Sequence, residues 1–128
     1  MQIPSLSDAE WKVMNAVWSE HPATARAVLG ALENETGWAY STVKTMMDRL
    51  VDKGALKTRI EGITSVYQPV LTQKQARKSA LRSLKERAFD GGSGAMMQFL
   101  VGSERLSAAD RVELLRLLEQ QDLKDQAK

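Results

Sequence analysis

The stretch STVKTMMDRLVDKG, residues 41–54, runs directly into ALKTRIEGITSVYQPV, residues 55–70, and the change of period between the two decides the fold. At ~100° per residue Val43, Met46, Met47, Leu50 and Val51 share one arc, while Ser41, Thr42, Lys44, Thr45, Asp48, Arg49 and Asp52 fill the other side. That pattern predicts an amphipathic helix, and Gly54 supplies the residue past its end, where glycine accepts a left-handed backbone. From Leu56 the period drops to two. Leu56, Thr58 and Ile60 alternate with Lys57, Arg59 and Glu61, which predicts a half-buried strand. Gly62-Ile63-Thr64-Ser65 turns the chain, and Val66-Tyr67-Gln68-Pro69-Val70 brings it back. Pro69 lacks an N–H and belongs at a strand end or sheet edge.

Two further helices precede this unit. Leu6-Ser7-Asp8-Ala9-Glu10 is a helix start, with Ser7 as N-cap and Glu10 closing a capping box. Trp11, Val13, Met14, Val17 and Trp18 form its apolar stripe to about Glu20, and His21-Pro22 ends it, because the residue before proline is pushed out of the α region. Thr24 caps the second helix, in which Ala25, Val28, Leu29 and Leu32 recur at helical spacing before Gly37 stops it. Helix, helix, helix, hairpin across residues 1–71 is the order of a winged helix-turn-helix.

Downstream, Thr72 caps a long helix to about Phe89, with Lys74, Lys78, Arg82 and Lys85 on one side, Ala76, Ala80, Leu84 and Ala88 on another, and Leu81 at the border. Asp90-Gly91-Gly92-Ser93-Gly94 reads as a flexible joint. A short apolar run, residues 95–101, is broken by Gly102-Ser103-Glu104-Arg105, and Ser107 then opens a last helix. The expectation is a mainly α chain: residues 1–71 a winged-helix domain, 72–120 a small three-helix domain, 121–128 a polar tail. Three short helices are too few to bury Leu81, Leu84, Met97, Phe99, Leu100, Val112, Leu115 and Leu118 among themselves. A second copy closing a two-fold interface would cover these apolar faces; the alternative is folding back onto the first domain.

Composition narrows the function. The 128 residues include no cysteine and one histidine, so there is no disulfide framework, thiolate zinc site or thiol nucleophile. No metal-ligand cluster surrounds His21, and the helical spacing of Met46, Met47, Met96 and Met97 suits core packing. No acid–base pair, nucleophile motif or phosphate loop stands out. An enzyme is therefore not expected, nor a catalytic residue, metal or cofactor. Residues 1–5 lack the features of a signal peptide, and no run approaches the ~18–20 apolar residues of a membrane span. A cytoplasmic protein without membrane insertion is expected.

Charge is uneven. Net charge is only +2, yet residues 41–60 carry five basic and two acidic side chains, and residues 72–89 carry six and one. Such zones suit a polyanion. On the 41–53 helix the hydroxyls of Ser41, Thr42 and Thr45 stand with Lys44 and Arg49. Short hydroxyls donate to phosphates or touch thymine methyls, and arginine bridges guanine O6 and N7. Asp48 and Asp52 would be repelled by phosphate, so they lie away from the backbone or pair internally with Arg49 and Lys53. An ordinary solvated amphipathic helix has a similar composition, and a winged-helix protein-interaction module without operator specificity is the competing reading.

Ala9-Glu10-Trp11-Lys12-Val13-Met14, Val17-Trp18 and Trp38-x-Tyr40-Ser41-Thr42-Val43-Lys44-Thr45 resemble the penicillinase repressor family, the Bla/Mec-type repressors with copper-responsive relatives. Asp48-Arg49-Leu50-Val51-x-Lys53-Gly54-x-Leu56 and Tyr67-x-Pro69 continue the resemblance, which spans residues 5–120. It implies a homodimeric repressor on an inverted-repeat operator, with the N-terminal domain on DNA and the C-terminal helices dimerising. Helix polarity and the resemblance together put the 41–53 helix in the major groove, with Thr42, Lys44, Thr45 and Arg49 nearest DNA. Thr24 and Lys53, with Lys57 or Arg59, would anchor the backbone. In the penicillinase branch, derepression implies cleavage in the dimerisation domain under a membrane sensor-peptidase. The family's asparagine–phenylalanine bond maps to Gln98-Phe99, where the phenylalanine is kept, and one residue is inserted between Phe99 and Leu106. The cysteine cluster of the copper-responsive branch is missing, and the wing tip Gly62-Ile63-Thr64 lacks the basic residue often found there.

Overall fold

Local hydrogen bonds to the polar side chains of Ser7, Thr24, Thr72 and Ser107 start the helices that follow them. The computed structural model describes residues 3–103 and 106–127. Ser7 Oγ accepts from the Glu10 amide at 3.2 Å, and the Glu10 carboxylate accepts from the Ser7 amide at 2.8 Å, a capping box that opens α1 (Asp8–Ser19). Thr24 Oγ1 accepts from the Ala27 amide at 3.0 Å and opens α2 (Ala25–Thr36), which Gly37 closes at φ 66°. α3 (Tyr40–Asp52) starts without a side-chain cap. β1 (Leu56–Glu61) and β2 (Thr64–Pro69) pair antiparallel, with Leu56 opposite Pro69 and Glu61 opposite Thr64.

These elements share one core. Val13, Met14 and Val17 of α1 meet Val28 and Leu32 of α2, Val43, Met47 and Leu50 of α3, and Leu56 and Tyr67 of the hairpin. The hairpin is tied to the segment before α2: the Ala23 amide donates to the Tyr67 carbonyl at 2.9 Å, and the Tyr67 amide to the Ala23 carbonyl at 2.8 Å. β1 was expected to be half-buried, but of its six residues Leu56 alone is buried. The alternation is real, since Leu56, Thr58 and Ile60 do share a face. The hairpin simply outruns the helices that could cover that face, leaving Ile60 exposed.

α4 (Gln73–Phe89) opens on its own capping box: Thr72 Oγ1 accepts from the Gln75 amide at 3.1 Å, and Gln75 Oε1 accepts from the Thr72 amide at 3.0 Å. Leu71 and Ala76 are buried in the core of the first unit, and Trp18 Nε1 donates to the Leu71 carbonyl at 2.9 Å. The chain accordingly divides into compact units at 82/83, inside α4, and not at the 71/72 boundary expected from the sequence. The start of α4 is part of the first unit because its apolar side closes that core.

The second unit contains α5 (Ser93–Ser103) and α6 (Ala108–Gln126). The expected flexible joint is a tight turn. The Gly91 amide donates to the Lys85 carbonyl at 3.0 Å and the Gly92 amide to the Phe89 carbonyl at 2.7 Å, with Asp90 and Gly91 in the left-handed region at φ 48° and 79°. The rings of Phe89 and Phe99 meet edge-on at 5.8 Å. Of the expected break at Gly102-Ser103-Glu104-Arg105, the first two residues lie in α5, and the last two fall outside the described residues. α6, capped by Ser107 on the Asp110 amide at 3.0 Å, continues to Gln126. The expected tail is thus largely helical, because Glu, Gln, Leu and Lys are good helix formers and nothing in 119–126 breaks the turn.

Candidate nucleic-acid interface

α3 buries Val43, Met47 and Leu50 and leaves Ser41, Thr42, Thr45 and Arg49 exposed on its outer side. A helix 13 residues long is about 20 Å at 1.5 Å per residue, enough to span a major groove ~12 Å wide. Arg49 has no carboxylate at ion-pair distance among the described residues. Its planar fork is thus open to an outside acceptor.

Lys44 is placed differently. Its Nζ donates to both Asp48 oxygens at 3.0 Å and to the Tyr67 hydroxyl at 2.6 Å, and that hydroxyl donates to Asp48 Oδ1 at 2.7 Å. Lysine four residues before aspartate is the weaker order for a helical pair, worth at most ~0.5 kcal/mol on an isolated helix. The buried Tyr67 hydroxyl adds the third corner. The Tyr67 bond, followed by the Asp48 bond, holds the Lys44 ammonium above its ordinary pKa. Partial burial pushes the Asp48 carboxyl up, but the Tyr67 and Lys44 bonds together outweigh it and keep the group below its usual value. Burial, then the bond to Asp48, raises the Tyr67 phenol.

Lys53 is also engaged. It donates to Glu10 Oε1 at 2.7 Å and to the Ser5 carbonyl at 3.1 Å, joining the end of α3 to the start of α1. Burial raises Glu10, but the bonds from Lys53 and the Ser7 backbone and hydroxyl overcome this, so the carboxyl titrates below the ordinary glutamate range. A folded-state pKa below the unfolded one adds stability above pH ~4 that is lost as pH falls through the folded value. Lys53→Met should therefore destabilise the chain by ~1–2 kcal/mol at neutral pH and flatten its acid-side stability loss. Urea melts at pH 7 and pH 4 test this; an equal deficit at both pH values would refute it.

Thr24 spends its hydroxyl on the α2 cap, and Arg59 pairs with Glu61 at 2.7 Å in an exposed bridge of the kind worth ~0–1 kcal/mol. Lys57 is exposed on β1. Two residues escaped the sequence reading. Arg26 lies with its guanidinium carbon 5.2 Å from the Tyr40 ring centroid, and both line a groove with Thr24, Lys44, Thr64 and Ser65. Arg26 sits in the acid-rich first 40 residues, where segment charge hid it. Its place two residues after a helix cap was the available signal.

In the C-terminal helices Leu81, Leu84, Met97, Phe99, Leu100, Val112, Leu115 and Leu118 are all exposed in the single chain. Gln98 and Phe99 lie mid-helix in α5. Among the described residues no helix is long and apolar enough to cross a membrane.

Comparison with known proteins now bears on this geometry. The family model described as penicillinase repressor matches residues 6–120. The chain is 30% identical over 119 residues to the penicillinase repressor of Bacillus licheniformis, covering 93% of each chain. It is 30% identical over 120 residues to the transcriptional regulator BlaI of Mycobacterium tuberculosis, covering 91% of this chain and 85% of that one. Among solved structures it resembles the monomeric form of Bacillus licheniformis BlaI in complex with the blaP half-operator. That match has a TM-score of 0.50 and 35% identity, covering 58% of this chain and 90% of that one. The fold is a winged helix, and the family consists of transcriptional repressors, which are not enzymes. With a matching family model over nearly its whole length and these relatives, the chain belongs to the penicillinase repressor family.

Proposed function

We propose that the chain is a homodimeric repressor that reads an inverted-repeat operator with the exposed face of α3. The observation that carries this reading is Arg49. It is an exposed arginine with no ion-pair partner among the described residues, on the same helix as three outward hydroxyls, in a fold shared with a half-operator-bound relative. Thr42, Thr45 and Arg49 approach base edges, and Ser41 approaches the adjoining phosphates. Lys57 and Arg59, from the wing, face the backbone with the start of α2 around Thr24. Lys44 and Lys53 contribute by holding α3 in place, since their ammonium groups are already bonded inside the fold. Residues 1–71 with the start of α4 form the reading domain, and the remaining helices dimerise it. The protein acts on cytoplasmic DNA.

Two α3 helices related by a two-fold require half-sites about one helical turn apart, ~10 bp, or a multiple of it. Relief follows from cutting Gln98–Phe99 by a protease under a membrane sensor. Selection of bound fragments from sheared genomic DNA at ~150 mM salt tests the whole reading, because at that salt weak non-specific contacts are largely lost. An inverted repeat is expected. Weak binding to all duplexes alike would favour a protein-interaction module instead.

Arg49→Ala should cost ~1–3 kcal/mol, tens-fold in Kd, with the loss confined to one base position per half-site. Titration against an operator series substituted one pair at a time checks it. A uniform loss across the series would assign Arg49 to the backbone.

A further inference from the structure

The wing-facing side of α3 holds a closed set of charges. The Lys44 ammonium donates to the Asp48 carboxylate, reaching both of its oxygens, and to the Tyr67 hydroxyl. That hydroxyl passes its own proton to Asp48 Oδ1 at 2.7 Å. Tyr67 is fully buried, and both its backbone polar groups are bonded to Ala23, so the third corner is rigid. Asp48 itself is about half exposed. Lys44 lies in the groove formed with Thr24, Arg26, Tyr40, Thr64 and Ser65, beside the exposed face of α3. A free ammonium there would be available to any phosphate backbone. Here the ammonium is already paired, with a carboxylate 3.0 Å away and the Tyr67 hydroxyl 2.6 Å away.

We infer that Asp48 is a specificity-determining residue that, with Tyr67, withholds Lys44 from phosphate and so suppresses binding to DNA of arbitrary sequence. Non-specific association is almost wholly electrostatic, and each phosphate-neutralising cation steepens its salt dependence. A long lysine released on a loosely seated helix finds a phosphate in many registers. The operator complex has a second dependence, because Arg49 and the hydroxyls must be presented in one pose, and the Asp48–Tyr67 bond helps set that pose against the wing. Releasing Lys44 therefore adds to the non-specific mode and takes from the specific one. This rests on the operator-binding reading above.

The test is Asp48→Asn in the full chain, titrated against its selected operator and a scrambled duplex of equal length across a salt series. Scrambled-duplex affinity should rise ~3–10-fold at ~100 mM salt, and the slope of log K against log[salt] should steepen by about 0.9, one added phosphate contact. Operator affinity should not rise by the same factor, so the operator-to-scrambled ratio falls. Tyr67→Phe keeps the ring in the core and should shift the same quantities in the same direction by less. A merely structural role weakens both duplexes together, and that result overturns the inference. So does an unchanged slope on scrambled DNA in both variants. Wild-type protein that does not discriminate the two duplexes would overturn the operator reading as well.

Discussion

Leu115→Asp should leave the protein monomeric and lower its affinity for a full operator by ~10²-fold or more, while affinity for a single half-site stays unchanged. Leu115 is 68% exposed in the single chain, in company with Val112 and Leu118 on α6 and with Met97 and Leu100 on α5. So much apolar side chain over two helices is more than a monomer's surface ordinarily leaves bare, and a carboxylate set into a closed apolar interface costs several kcal/mol unless paired. The DNA effect is larger than the interface effect alone. In a dimer the second reading domain binds as a tethered partner, at an effective concentration that raises avidity ~10²–10⁴-fold without new contacts. Sedimentation equilibrium gives the oligomeric state, and titration of full and half operators gives the two affinities. A Leu115→Asp chain that still sediments as a dimer would remove α6 from the interface.

Tyr67→Ala should be the most damaging single change in the first unit, costing ~3–5 kcal/mol against a total stability of ~5–15 kcal/mol. Tyr67 is the largest fully buried side chain, and it meets the core while its hydroxyl holds Lys44 and Asp48. Tyr67→Phe separates the two roles. It keeps the ring and loses only the hydroxyl, for ~1–2 kcal/mol, the cost of leaving hydrogen-bonding groups short of a partner. Chemical denaturation of the three proteins should therefore show a small step and then a large one. Equal losses for phenylalanine and alanine would mean that the polar corner, and not the ring, carries the stabilisation.

The parts of this molecule that its sequence alone determined are those set by near neighbours. Ser7 with Glu10, Thr24 with Ala27, Gly37 at φ 66° and the shift from helical to alternating period at Leu56 all act within a few residues, so caps, order and the winged-helix layout were readable directly. The outward face of α3 followed from the same periodicity, and Ser41, Thr42, Thr45 and Arg49 lie where it put them. The tertiary structure decided what those local rules cannot reach. Asp48 was expected to lie away from the DNA backbone or to pair with Arg49 or Lys53, yet it bonds Lys44 and Tyr67, the latter 19 residues away; Lys53 meets Glu10 across 43 residues. The Ala76 contact with the first core likewise moved the unit boundary into α4. A charge's partner depends on which elements the core packs together, and an isolated helix has no such neighbours. Composition could therefore count the cations of α3 and its C-cap, and only the packed fold distinguished Lys44 and Lys53, already bonded, from Arg49, which has no ion-pair partner among the described residues.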